Sequence, residues 1–182
     1  YKFASVRRIS CNLIIESMSK TLIIIPSRLK ATRLPEKPLK LINDIPMIVQ
    51  VYNRAVESNV GEVYVATPDK EIIDIVTKNK GNAILTRNNH LSGSDRVYEV
   101  YEKKLNNTVD LIINLQGDMP NIKPSSISKL EKLMRKNNSN IGTLASLINN
   151  KKEIFDSNIV KVQVSEDLEE DNFIKARDFF RI

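Results

Sequence analysis

Leu22-Ile23-Ile24-Ile25-Pro26-Ser27-Arg28-Leu29-Lys30-Ala31-Thr32-Arg33-Leu34-Pro35-Glu36-Lys37-Pro38-Leu39 decides how the rest of the chain is read. Its apolar start is short and rich in isoleucine, as expected of a parallel strand buried on both faces. The run breaks at Pro26 into a loop that carries Arg28, Lys30, Arg33 and Lys37, four cations in ten positions. The loop holds no glycine, so it cannot be a Gly-rich cradle in which backbone amides hold a phosphate. Side-chain cations would have to do that work, and a polyanion the size of a triphosphate fits them. A solvated basic surface remains the alternative, although Pro26, Pro35 and Pro38 confine the four residues to one strand-to-helix loop.

Outward from this stretch, apolar runs alternate with helical patterns. Strands are expected at Thr21–Ile25, Glu62–Ala66, Ala83–Thr86, Asp110–Leu115, Ile141–Ser146 and Val160–Val164. A helix should open at Pro46 with Ile48, Val51, Tyr52 and Ala55 on one face. Further helices are expected at Asp69–Lys78, Ser94–Leu105 and Ser125–Arg135. The β-α alternation predicts an α/β, Rossmann-like fold, with a mostly parallel sheet covered by helices on both faces.

The 182 residues suit one domain. Cys11 and His90 are the only residues of their types. The single cysteine leaves no internal disulfide and no structural zinc, and it fits a reducing, cytoplasmic setting. The net charge is +6, and residues 1–50 account for it with nine cations against three acids. A nucleic-acid binder would spread its cations along a face and interleave aromatics with them. Aromatics make up only 5% here and none lies in the loop, so nucleic acid is not expected as a partner. Nor is a membrane, because no apolar run reaches the roughly 18 residues a span requires. Residues 1–17 read as an unstructured extension before a start at Met18. The domain then runs over 18–182 and reads as incomplete, since Ile182 ends it within a strand-like element, Phe173–Arg181.

Two more segments fall where strand ends should meet. Leu115-Gln116-Gly117-Asp118-Met119-Pro120 places a carboxylate at a strand end, suited to Mg²⁺ held against phosphate oxygens. Gly117 would let the backbone approach a ligand, although Gly, Asp and Pro also make a plain β-turn. In Thr86–Arg96, Ser92 and Asp95 match a capping box. The free amides and hydroxyls of such a helix start suit a base edge or a ribose, while His90 reads as a loop residue.

The order Pro26-x-Arg28-x-x-x-Thr32-Arg33-Leu34-Pro35-x-Lys37-Pro38-Leu39, Pro46-Met47-Ile48, Arg87 to Arg96, then Gln116-Gly117-Asp118-x-Pro120 resembles the 3-deoxy-manno-octulosonate (KDO) cytidylyltransferases. The resemblance runs from about Lys20 to at least Lys161. CMP-sialic acid synthetases share the opening loop, but the Gln-Gly-Asp segment and the Pro-Met-Ile helix start favour the KDO enzymes. Glu36 departs from a common glycine, Pro68 from an aspartate (with Asp69 adjacent) and Met119 from a glutamate.

The resemblance implies a nucleotidyltransferase fold and transfer of a cytidylyl group from CTP to KDO for lipopolysaccharide synthesis. It implies catalytic roles for Arg28, Lys37 and Asp118, with Asp118 on Mg²⁺. Arg33, Arg87, Ser92, Gly93, Ser94 and Gln116 would bind substrate, and the full-length enzyme would be a homodimer. Alternatives are another acidic sugar as acceptor, or a catalytically incomplete nucleotide-binding module. Family members continue for roughly a further third of their length, with a second metal-binding aspartate that this chain lacks.

Overall fold

The computed structural model describes residues 20–30, 34–105, 109–167, 169 and 173–182. The expected 1–17 extension and Arg33 lie outside the described residues. Described elements in chain order begin with β1 (Thr21–Pro26), a 3-10 turn (Lys37–Leu39), β2 (Leu41–Ile42), β3 (Ile45–Pro46) and α1 (Met47–Glu57). There follow β4 (Glu62–Thr67), α2 (Lys70–Lys78), β5 (Ala83–Leu85), α3 (Gly93–Leu105), β6 (Leu111–Asn114) and α4 (Pro124–Lys136). A short α5 (Lys151–Ile154), β7 (Lys161–Val164) and β8 (Ala176–Phe180) complete them.

Leu22 to Ile25 of β1 are at most 1% exposed, which only a strand covered on both faces can achieve. Alternation divides them between two cores. Ile23 and Ile25 pack with Ile48, Val51 and Tyr52 of α1, Ile72 and Val76 of α2 and Ile127 of α4. Leu22 and Ile24 pack with Val97 and Val100 of α3 on the other face. Both edges of β1 are also paired, in parallel, with β4 on one side and β6 on the other. The described sheet has the order β5-β4-β1-β6. The chain therefore works outward from β1 through β4 to β5, then returns to β1's other edge as β6.

Helix ends follow local chemistry. Pro124 opens α4, where its missing N–H costs nothing. Asn59, Lys80 and Asn138, just past α1, α2 and α4, have φ of 53°, 62° and 46° and supply the left-handed turn that glycine often provides.

Two expected strands differ from the structure. Ile141–Ser146 has no regular structure, and Ile141 is 90% exposed. Its residues 141–144 line a cavity of about 490 Å³ with β6 and α4, so they stand off from the edge they would have to pair with. Val160–Val164 becomes β7, which pairs antiparallel with β8 rather than joining the parallel sheet. Lys161 is its buried residue, with the ammonium donating to the Asp156 carbonyl, while Gln163 on the same face is exposed.

The close pairing of β1 and β4 makes a demand on Gly61. A β-carbon there would sit 1.9 Å from the Thr21 carbonyl oxygen, a backbone atom that cannot move without shifting the strand. Gly61→Ala should destabilise the full-length protein by about 3 kcal/mol, the upper range for overpacking. Urea unfolding of the two proteins measures the difference.

Candidate active site

Strand order reverses between β1 and β6, and ligands of open α/β sheets bind beyond the carboxyl ends at such a switch point. The loop after β1 is tied down at its start. The buried Ser27 donates its N–H to the Ala66 carbonyl at 2.9 Å, and Leu29 donates its N–H to Asp69 Oδ2 at 2.7 Å. Glu36 N–H returns to the Leu29 carbonyl at 3.2 Å and closes the loop before the 3-10 turn. Glu36 has a φ of 56°, a conformation glycine takes without steric cost, and the expected family pattern has glycine there.

The segment after β6 reaches this loop because Gly117 has no side chain. A β-carbon on Gly117 would lie 3.0 Å from the Pro26 carbonyl oxygen and 3.5 Å from Ser27 Cβ. The expected close approach of Gly117 is thus to the chain's own β1 loop. Gly93, at the start of α3, lies against the Pro26 ring. All three segments singled out in the sequence converge on Pro26.

Lys37 and Asp118 are brought together across 81 residues, with Nζ donating to Oδ2 at 2.8 Å. Their side chains are 37% and 55% exposed, so the pair itself adds at most about 1 kcal/mol of stability. Its value is positional, since it puts an ammonium and a carboxylate over the same space. Arg28 lines a cavity of about 360 Å³ with Lys30, Pro68, Asp69, Asn88 and Asn89.

The other expected site residues are distributed around this centre. Ser92 and Asp95 form the reciprocal capping box, with Ser92 N–H to Asp95 Oδ2 at 2.9 Å and Asp95 N–H to Ser92 Oγ at 3.1 Å. Ser94 is exposed in the first turn of α3. Gln116 donates to Asn114 Oδ1 at 3.2 Å and lines the cavity along β6 rather than the one that holds Arg28. Arg87 is exposed, with Nε 3.7 Å from Glu99 Oε1.

Arg96 and Glu99 were not among the expected site residues. Both are buried, on α3 beneath the 86–90 loop. Arg96 donates through one guanidinium nitrogen to Thr86 Oγ1 and to the Arg87 carbonyl, the latter at 3.0 Å. Glu99 accepts the Arg87 N–H at 2.9 Å, with His90 Nε2 at 2.5 Å and the Lys103 ammonium also on its carboxylate. An ionised carboxylate only accepts, so His90 carries its proton on Nε2 in this contact. Sequence spacing places Arg96, Glu99 and Lys103 along one side of α3, but nothing in it marks that side as covered by a loop.

Burial pushes the Arg96 pKa down, and the positive charge of Arg28 adds to this. The guanidinium stays protonated throughout the working range. For Glu99, burial raises the pKa, but hydrogen bonds from His90, Lys103 and the Arg87 N–H outweigh it and hold the carboxyl at about 2. The stability Glu99 contributes is therefore complete above its ordinary value of 4.5 and is lost as the pH falls toward 2. Acid titration of the unfolding free energy should show a fall in this window that is shallower in Glu99→Gln.

A family model described as cytidylyltransferase matches residues 22–181. A 3-deoxy-manno-octulosonate cytidylyltransferase of Rhodopseudomonas palustris (strain BisB18) is 43% identical over 145 residues, covering 79% of this chain and 59% of that protein. One of Nitrobacter winogradskyi is 44% identical over 144 residues, with 79% and 57% covered. The chain thus spans less than two thirds of the length of these curated relatives. A solved structure of CMP:2-keto-3-deoxy-manno-octonic acid synthetase complexed with CTP superposes with a TM-score of 0.73 at 37% identity, over 88% of this chain and 64% of that one. With the family model spanning nearly the whole described domain, the chain belongs to the cytidylyltransferase family.

Proposed function

We propose that the full-length protein transfers a cytidylyl group from CTP to KDO, forming CMP-KDO and pyrophosphate. The observation that carries this reading is the meeting of Lys37 and Asp118 at the sheet's switch point, beside the basic loop. The CTP complex of the structural relative supports CTP as donor, and the names of the curated relatives support KDO as acceptor.

The sugar's anomeric hydroxyl oxygen forms the new bond to the α-phosphorus. The bond from that phosphorus to the bridging oxygen breaks, pyrophosphate leaves, and the hydroxyl proton passes to solvent. Negative charge moves onto the leaving group, where fixed cations lower the barrier most. Arg28 and Lys37 take that role, and Arg33 supports the loop or the phosphates. Arg87, Ser92, Gly93, Ser94 and Gln116 serve cytidine or sugar positioning.

Asp118 suits Mg²⁺, which commonly uses one or two protein carboxylates and completes its shell with phosphate oxygens and water. Its side chain is exposed, and Lys37 stands ready to exchange it for the triphosphate. No group of three or more candidate metal-binding side chains occurs among the described residues, so an all-protein cage is not the arrangement supported here. When bound, Mg²⁺ would screen triphosphate charge and orient it.

No helix among the described residues is long and apolar enough to cross a membrane. The single cysteine, Cys11, supports a cytoplasmic enzyme acting on small molecules. A homodimer is the state that the family resemblance implies for the full-length protein.

The primary test is pyrophosphate release from CTP and Mg²⁺ by the full-length protein with and without KDO. KDO-dependent release is expected; release with a different acidic sugar alone would change the acceptor. Lys37→Ala should lower kcat/KM at least tenfold, since a charge-assisted hydrogen bond is worth about 1.5–3 kcal/mol. Steady-state kinetics that match the parent enzyme would remove Lys37 from the mechanism. Asp118→Asn should weaken the Mg²⁺ dependence sharply, and an unaltered metal titration would argue against its metal role.

A further inference from the structure

The peptide of Arg87 is held from both sides by charged residues of one helix. Glu99 takes its N–H at 2.9 Å, and Arg96, one turn earlier on α3, donates to its C=O at 3.0 Å. Both side chains are buried, so neither offers its charge to a ligand directly. Arg96 also holds Thr86 Oγ1, and Glu99 also holds His90 Nε2, so the grip extends to both ends of residues 86–90. Between those ends stand Asn88 and Asn89, both exposed and both lining the cavity that contains Arg28 and Lys30.

A short polar loop loses entropy when a ligand orders it, and pre-ordering it removes that cost from binding. A buried charge is costly to desolvate, so hydrogen bonds must offset that cost before it adds stability. Two buried charges aimed at the two polar groups of one loop peptide fix its position, whatever each adds to stability. Asn88 and Asn89 each offer an amide donor and a carbonyl acceptor, the complement to the edge of a nucleoside.

We propose that Arg96 and Glu99 are positioning residues: they clamp the Arg87 peptide and so hold Asn88 and Asn89 in the wall of the cavity they share with Arg28, where the nucleoside part of CTP would meet the two amides while its phosphates meet the cations. This rests on the cytidylyltransferase reading given above. Arg28 and Lys37, which serve the phosphates, are outside the clamp. Loosening the clamp therefore weakens recognition of the nucleoside and spares recognition of the polyphosphate.

The test is calorimetric titration of the full-length protein with CTP, UTP and inorganic tripolyphosphate, each with Mg²⁺. Glu99→Gln and Arg96→Lys should weaken CTP at least tenfold and narrow the preference for CTP over UTP, with tripolyphosphate affinity within twofold of the parent. Lys103→Ala removes a partner of Glu99 that does not touch the Arg87 peptide, and CTP affinity should be retained. The double change Asn88→Ala with Asn89→Ala alters only exposed side chains and should reproduce the selective loss, even if the buried variants fail to fold. Unchanged CTP affinity in that double variant overturns the proposal, as does an equal loss of CTP and tripolyphosphate in the clamp variants. Failure of the unmodified protein to bind CTP overturns the cytidylyltransferase reading itself, and is seen before any variant is made.

Discussion

Complete burial of β1 is the constraint on which the rest depends. Leu22, Ile23, Ile24 and Ile25 offer apolar surface on both sides of one strand, so helices must cover both faces and neighbouring strands both edges. Placing β4 and β6 on opposite edges creates the reversal in strand order, and that reversal opens a crevice at the carboxyl end of β1. Pro26 stands at that end. Gly117 brings its segment tightly against it because it carries no side chain, and Gly93 at the start of α3 lies in contact with the same proline. Hydrophobic burial in the middle of the sheet thus decides where the charged residues meet.

Two arrangements of charged residues at this end of the sheet differ in kind. Lys37 and Asp118 are exposed and lightly coupled, so each can take a new partner at little cost when a charged ligand arrives. Arg96 and Glu99 are buried and bound to backbone atoms, and losing either would leave one side of the Arg87 peptide without its partner. On the proposed reading, the first arrangement suits groups that must engage and release polyphosphate. The second suits groups that must not move.

The strands and helices flanking β1 were legible because their cues are local: β-branched runs, prolines at helix starts, and apolar spacing along α1 and α2. Ile141–Ser146 was misread because β-propensity describes a residue's fit to a sheet, while pairing requires an edge at hydrogen-bonding distance. Here those residues stand across a cavity from β6. Val160–Val164 was recognised as extended, but its partner β8 and their antiparallel direction follow from where the chain turns back.

Within the site, the sequence by itself determined the types of residue and their loops. Arg28 and Lys37 lie in a loop without glycine, Asp118 follows an apolar strand, and Ser92 and Asp95 cap a helix, all readable from neighbours a few positions away. Only the tertiary structure decided that Lys37 meets Asp118, that Asp69 ties down the loop at Leu29, and that Arg96 and Glu99 grip the Arg87 peptide. Local patterns report torsional preference and the burial of a face. Contacts between segments many residues apart depend on strand order and on which faces the helices cover, and no short stretch of chain encodes either.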